Sequence, residues 1–268
     1  MKKVIIKFVI VAVAVFVQSL AYAYQGDQSK LDAHTVIAKA NEAVFYAGED
    51  AQCKVDLKMI KDDGRTSQWS FNILRLNTDN EGDQKYLVSF SKPVFMSQLS
   101  YLVWKRMNGA DQRWLYFPNL NFINTITESQ QRMPFMGAQF AFEDLTGREI
   151  NADQYELLDY STGHYLIKGT PINNKKTEFD HYYVWIREKD FIPVKIEFYD
   201  ENNYLLRIFE VLEIEDINGH PTITRSIIKD LQQGGETLVK FSDVNYDTGI
   251  SEKIFTGQYL RNPDRIFH

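Results

Sequence analysis

From Lys54 onward, apolar side chains recur at every second position, and the pattern persists almost to the end of the chain. Val55, Leu57 and Met59 alternate with Lys54, Asp56 and Lys58; Trp69, Phe71 and Ile73 alternate with Ser70 and Asn72. Tyr86, Val88 and Phe90 follow, then runs at 99–104, 113–117 and 121–127. The second half repeats the pattern at 154–160, 164–170, 180–187, 193–199, 203–211, 221–229 and 236–245. A period of two puts alternate side chains on opposite faces of a strand. Turn signals separate the runs: Asp62-Asp63-Gly64, Asn80-Glu81-Gly82-Asp83, Ser161-Thr162-Gly163, Asn173-Asn174, Asp200-Glu201-Asn202-Asn203, Asn218-Gly219 and Gly234-Gly235. Ten to thirteen strands at hairpin spacing predict one antiparallel sheet system, mainly β, and argue against a parallel α/β fold.

Two segments depart from that period. Val36, Ile37, Ala40, Ala43 and Val44 recur at helical spacing after Asp32, and Gly48 supplies a stop. This predicts one amphipathic N-terminal helix. Residues 130–147 carry Pro134, Gly137 and Gly147 among Phe135, Met136, Phe140 and Phe142. An irregular apolar segment must pack on something or cover something.

The aromatic content sharpens the question of what the sheet faces. Tyr101-Leu102-Val103-Trp104 and Tyr182-Tyr183-Val184-Trp185-Ile186 are apolar on both faces. A sheet with one wet face does not need this. A sandwich core or packed helix would explain it, and so would a curved sheet enclosing an apolar cavity. Periodicity alone leaves both open.

Residues 1–23 read as a bacterial signal peptide. Lys2, Lys3 and Lys7 come first, then ten unbroken apolar residues from Phe8 to Val17, then Ala21-Tyr22-Ala23 as cleavage site. The apolar run is too short for a membrane span, which needs ~20 residues. The expected mature chain, 24–268, is a single exported domain. Net charge is −6 over the whole chain and more negative once the lysine-bearing leader is removed. Such a chain lacks the basic face that nucleic-acid binding requires. The single cysteine, Cys53, rules out an intrachain disulfide and reads as a part-buried thiol.

Reactive constellations are sparse. His34, His164, His181, His220 and His268 show no metal-ligand spacing, so no metal is expected. There is no G-x-S-x-G elbow and no phosphate-cradling glycine loop. The acidic pair Glu143-Asp144 and the group Glu213, Glu215 and Asp216 read as turn, capping or surface acids. The expectation is a protein without a catalytic site or cofactor.

Trp114-Leu115-Tyr116-Phe117-Pro118, the following Asn124-Thr125-Ile126, the run Met136-Gly137-Ala138-Gln139-Phe140-Ala141-Phe142-Glu143-Asp144-Leu145, and the closing Phe255-Thr256 and Tyr259-Leu260 occur in that order. This order resembles the bacterial outer-membrane lipoprotein-sorting family, the LolA/LolB-like periplasmic carriers, over nearly the whole mature chain. The central run is similar to the family's F-x-G-S-D-F-S-Y-E-D-L, although Ala138-Gln139 and Ala141-Phe142 replace polar pairs, and Asn124 stands where a basic residue is usual. The resemblance implies a strongly curved antiparallel half-barrel with helical or irregular lid segments around an apolar cavity for acyl chains. It also implies lipid or lipoprotein cargo, an outer-membrane acceptor and, for longer members, an inner-membrane exporter of the RND superfamily.

On that expectation the apolar strand faces are concave, because the opposite faces carry Lys54, Asp56, Lys58, Ser70, Asn72, Lys85 and Ser89, which must stay wet. The expected cavity residues are Val55, Leu57, Met59, Trp69, Phe71, Ile73, Tyr86, Val88, Phe90, Trp104 and Tyr116. Phe135, Met136, Phe140 and Phe142 form a lid or wall. Two other classes compete. An outer-membrane β-barrel would need strands of ~9–11 residues, longer than most of these runs. A secreted hydrolase would need an acid pair of suitable geometry, and a sugar-binding module would use exposed aromatics to stack on sugars.

Overall fold

The computed structural model describes residues 31–78, 82–107, 109–173 and 177–266. Ala33–His268 forms one compact unit; the expected leader, residues 1–23, lies outside the described residues. Among the described residues no helix is long and apolar enough to cross a membrane.

The period-two runs become strands. They are β1 (Asp50–Ile60), β2 (Thr66–Asn77), β3 (Gln84–Lys92), β4 (Ser100–Lys105), β5 (Gln112–Phe117), β6 (Phe122–Thr125), β7 (Asp153–Ser161), β8 (His164–Pro171), β9 (His181–Arg187), β10 (Pro193–Tyr199), β11 (Leu205–Ile217), β12 (His220–Asp230) and β13 (Glu236–Tyr246). Helix α1 spans Ala33–Phe45 and ends three residues before Gly48. A five-residue helix, α2, spans Gly257–Arg261.

All thirteen strands form one antiparallel sheet in the order β6-β5-β4-β3-β2-β1-β13-β12-β11-β10-β9-β8-β7. Two meanders, β1–β6 and β7–β13, meet where β1 pairs with β13. The sheet does not close: β6 and β7 are its edges. A twisted sheet of this width curls, and here it forms a curved half-barrel. Because β6 and β7 lie at opposite edges, the chain joining them, residues 126–152, has to cross the sheet, and it does so on the concave side, where Phe135 packs on Phe71, Phe90 and Tyr101. This is the irregular segment of the sequence, and it acts as a strap.

Both faces of the N-terminal half are covered. On the convex side Leu74, Leu87, Leu102 and Tyr116 pack against Phe255 and Leu260 of the C-terminal segment. On the concave side Val55, Leu57, Phe71, Tyr86, Val88, Phe90, Tyr101 and Val103 meet Phe135 and Phe142 of the strap. This explains why Tyr101, Leu102, Val103 and Trp104 of β4 are apolar on both faces. In β9 the convex-facing Trp185 carries Lys195 Nζ 5.0 Å from its ring centroid, so a lysine stem shields it.

Candidate functional site: the concave cavity

The strap is fastened at both sides. Lys105 Nζ of β4 donates to Thr146 O (2.7 Å) and Gly147 O (3.2 Å). Arg113 of β5 donates to Phe142 O (3.4 Å) and Thr146 Oγ1 (3.3 Å). On the far side Gln139 N donates to Thr237 Oγ1 of β13 (3.2 Å), and Arg207 Nη1 of β11 donates to Gln139 O (3.2 Å). Gly147 has φ +80°, and a Cβ there would lie 2.8 Å from the Phe45 ring, so the strap closes onto the end of α1 only with glycine.

One half of the concave space is filled. Phe135 is fully buried, with ring centroids of Phe142 at 5.1 Å, Phe140 at 5.5 Å, Phe71 and Phe90 at 5.9 Å and Tyr101 at 6.1 Å. The other half is open: a cavity of about 460 Å³ remains between α1, the strap and the strands β1–β3, β7 and β9–β13. Its wall is mainly apolar, including Val55, Leu57, Phe71, Ile73, Val184, Ile186, Ile196, Phe198, Phe209, Ile228, Val239 and Phe241. The volume lies in the range of small-molecule sites, ~300–1,000 Å³.

The sequence-derived set divides accordingly. Val55, Leu57, Phe71, Ile73, Tyr86 and Phe140 line the cavity. Val88, Phe90, Phe135 and Phe142 belong to the filled half, with Trp69 and Met136 packed against it. Met59 is buried on the same face but outside the cavity wall. Trp104 and Tyr116 are corrections. In the register Lys85 pairs with Trp104 and Ser100 with Tyr116, one residue out of step with the concave-facing Tyr86, Tyr101 and Leu115. Both therefore face the convex side, where Trp104 Nε1 donates to Phe255 O (3.0 Å). Residues of the second half and of α1, such as Ile37, Val44, Tyr155, Tyr182 and Phe198, line the cavity but were absent from the expected set. Their alternation was visible; that their faces turn toward the first half was not.

Polar groups sit at the cavity margin. Arg132 Nη1 donates to Glu143 (2.9 Å) and Asp144 (2.7 Å), and Arg132 Nε to Glu178 (3.1 Å). Arg207 lies 3.2 Å from Glu178, and Arg148 pairs with Asp153 at 2.9 Å. Tyr182 donates to Asp153 (2.9 Å). Asp144 also accepts from Ala141 N (2.8 Å). Burial pushes the Asp144 carboxyl up, but Arg132 and Arg207 outweigh it and hold it below the usual range. Asp144 thus serves as the turn acid read from the sequence, whereas Glu143 is buried between Arg132 and Arg148 rather than lying at the surface. Burial also pushes the Cys53 thiol, on the cavity wall, up to about 12.

A family model described as "Uncharacterized protein" matches residues 82–262, more than half of the chain. A putative outer membrane lipoprotein-sorting protein domain from Vibrio parahaemolyticus shares the fold at TM-score 0.76 and 22% identity, over 85% of this chain and 98% of that one. A LolA superfamily protein from Nitrosomonas europaea does so at TM-score 0.66 and 21% identity, over 86% and 100%. The chain belongs to the family of that model, and it has the fold of the LolA superfamily structure. A DUF1329 family protein from Desulfovibrio piger shares the fold at TM-score 0.77 and 21% identity, over 85% and 97%. No curated protein matches this chain.

Proposed function

We propose that this chain is a non-enzymatic periplasmic carrier, exported by a leader cleaved after Ala23. It takes a lipidic or acylated ligand into the concave cavity and passes it toward the outer membrane. The observation that carries this reading is the open, apolar cavity beside a filled core in the same sheet. A protein interior is normally close-packed, so an apolar space of about 460 Å³ needs an occupant. Each methylene removed from water contributes ~0.8 kcal/mol, so a chain of ten or more favours the cavity strongly over water. The family fold and its lipoprotein-sorting relative support the choice of cargo. Release then requires a partner with a competing apolar site, such as an outer-membrane acceptor; an RND-superfamily exporter is a candidate donor. Purification from the native periplasm followed by native mass spectrometry tests the reading. Co-purified lipid released by organic solvent is the expected result. A ligand-free protein that also fails to bind a fluorescent fatty alcohol would refute it.

A further inference from the structure

The cavity has two groups of cations, and only one is neutralised. Arg132, Arg148 and Arg207 are all engaged with carboxylates at the strap end. Arg75 is different. It projects from β2 on the concave face, in the row where Arg75 pairs with Ala51 and Tyr86, and Ala51 pairs with Tyr246. It lines the cavity and is 6% exposed. Among the described residues no carboxylate lies within ion-pair distance of it. Asp50 and Asp247 act on it at longer range, but Asp50 accepts from the backbone of residues 248–250 and Asp247 from Glu49 N.

Its hydrogen bonds are to neutral acceptors: Nη1 to Asn77 Oδ1 (2.8 Å), and Nη2 to the carbonyls of Ala47 and Gly48 beyond α1. These carbonyls give the guanidinium a structural task. They do not explain its charge, since the neighbouring carbonyls are served by neutral amides: Asn77 Nδ2 reaches Gly48 O (2.9 Å) and Gln84 Nε2 reaches Phe45 O (2.7 Å). A buried guanidinium without a counter-charge is costly, and one facing an apolar cavity gains most from an anion delivered by the ligand. Tyr246 and Thr222 line the same end, but their protons are spent: Thr222 Oγ1 donates to His220 O (2.8 Å) and accepts from the Tyr246 hydroxyl (2.8 Å), which leaves the guanidinium as the group that can meet an anion.

We infer that Arg75 is the head-group site of this cavity, so the cargo is an amphiphile with an anionic head, carboxylate or phosphate, at the α1 end and its chain lying toward Val55, Val239 and Phe209. This rests on the carrier reading and adds to it the polarity and orientation of the ligand.

The test compares pyrene-labelled dodecanoic acid with the matching pyrene-labelled dodecanol, at neutral pH and below self-association. Wild type should bind the acid about tenfold or more tightly than the alcohol, the span expected of a charge-assisted hydrogen bond. Arg75→Gln should bring the acid down to the alcohol while leaving alcohol affinity within about threefold. Arg75→Lys should keep part of the preference. Equal affinities in wild type, or a preference that survives Arg75→Gln, would overturn the inference. Should Arg75→Gln not fold, the wild-type preference must still vanish as the fatty acid is protonated; persistence in the protonated state counts against it. Dodecyl phosphate should displace the probe, and inorganic phosphate should not; displacement by inorganic phosphate would reject a lipid head-group site. Failure of wild type to bind the alcohol at all sinks the carrier reading, whereas alcohol binding without acid preference sinks only the Arg75 assignment.

Discussion

Phe135→Ala and Ile196→Trp should behave in opposite ways, because the concave space is packed in one half and open in the other. Phe135 is fully buried with five aromatic rings around it. Removing a buried phenylalanine costs ~3–5 kcal/mol through lost transfer energy and the cavity left behind. The value belongs near the top of that range, because ring pairs add ~0.5–1.5 kcal/mol each before non-additivity. Relaxation is also limited, since the strap is tied to β4, β5, β11 and β13 by the bonds of Lys105, Arg113, Arg207 and Gln139. Ile196 lines the open cavity. In a packed core its enlargement to tryptophan would cost ~1–3 kcal/mol. Into existing space it should cost less than about 1 kcal/mol while abolishing binding of a fluorescent fatty alcohol. Urea denaturation with unchanged m-values gives both stabilities, and a titration gives the binding. Near-equal destabilisation by the two substitutions would refute the division into a filled and an open half.

Three further substitutions or probes test the buried polar groups. Burial opposes the Asp50 carboxylate, but hydrogen bonds from Ile250 N, Thr248 N and Oγ1 and Gly249 N outweigh it and hold its pKa below the ordinary value. Asp50→Asn should therefore cost about 3 kcal/mol at neutral pH; the wild-type advantage is present above the unfolded pKa and is lost as pH falls through the folded one, and a pH-independent difference in urea midpoint would contradict this. Burial lowers the Lys105 ammonium to about 8 from 10.5, with Asp111 and Glu149 opposing. Between those values the unfolded chain holds a proton that the folded chain has released, so wild type should gain stability over Lys105→Met as pH rises, by on the order of 3 kcal/mol; a flat difference between the two urea midpoints rejects the assignment. The Cys53 thiol, raised to about 12, should react with Ellman's reagent orders of magnitude more slowly in the folded protein than in urea at mildly alkaline pH, and equal rates would place it outside the apolar wall.

All thirteen strands were legible because alternation and turn chemistry act within a hairpin. Which face of a strand turns inward is a different kind of information. For β1 and β2 it could be read, since Lys54, Asp56 and Asn72 mark the wet side. For β4 and β5 it could not, because Trp104, Trp114 and Tyr116 pack under Ile123, Phe255 and Leu260 on the convex side, so neither face is polar. The cover comes from the C-terminal segment, more than a hundred residues away, and no local pattern announces it. Arg75 escaped notice for a related reason. In sequence it is a charged residue between Leu74 and Leu76, which reads as the end of the Phe71, Ile73 alternation; the register with Tyr86 and Ala51 shows the alternation running on unbroken, with Arg75 on the concave side.

The cavity follows from the topology together with the composition of the strap. Pairing β1 with β13 leaves β6 and β7 as edges, so the chain between them must bridge the half-barrel. Its first part offers Phe135, Phe140 and Phe142, which pile onto β2, β3 and β4 and fill that half. Its second part offers Glu143, Asp144 and Arg148, which spend their hydrogen bonds on Arg132, Asp153 and each other and cannot fill apolar space. The strands beneath that second part nevertheless present Ile196, Phe198, Phe209 and Val184 inward. Apolar strand faces opposed by a charged bridge cannot close on one another. The space between them is fixed by the same ion pairs that fasten the strap, so a ligand that fills it need not displace packed side chains to enter.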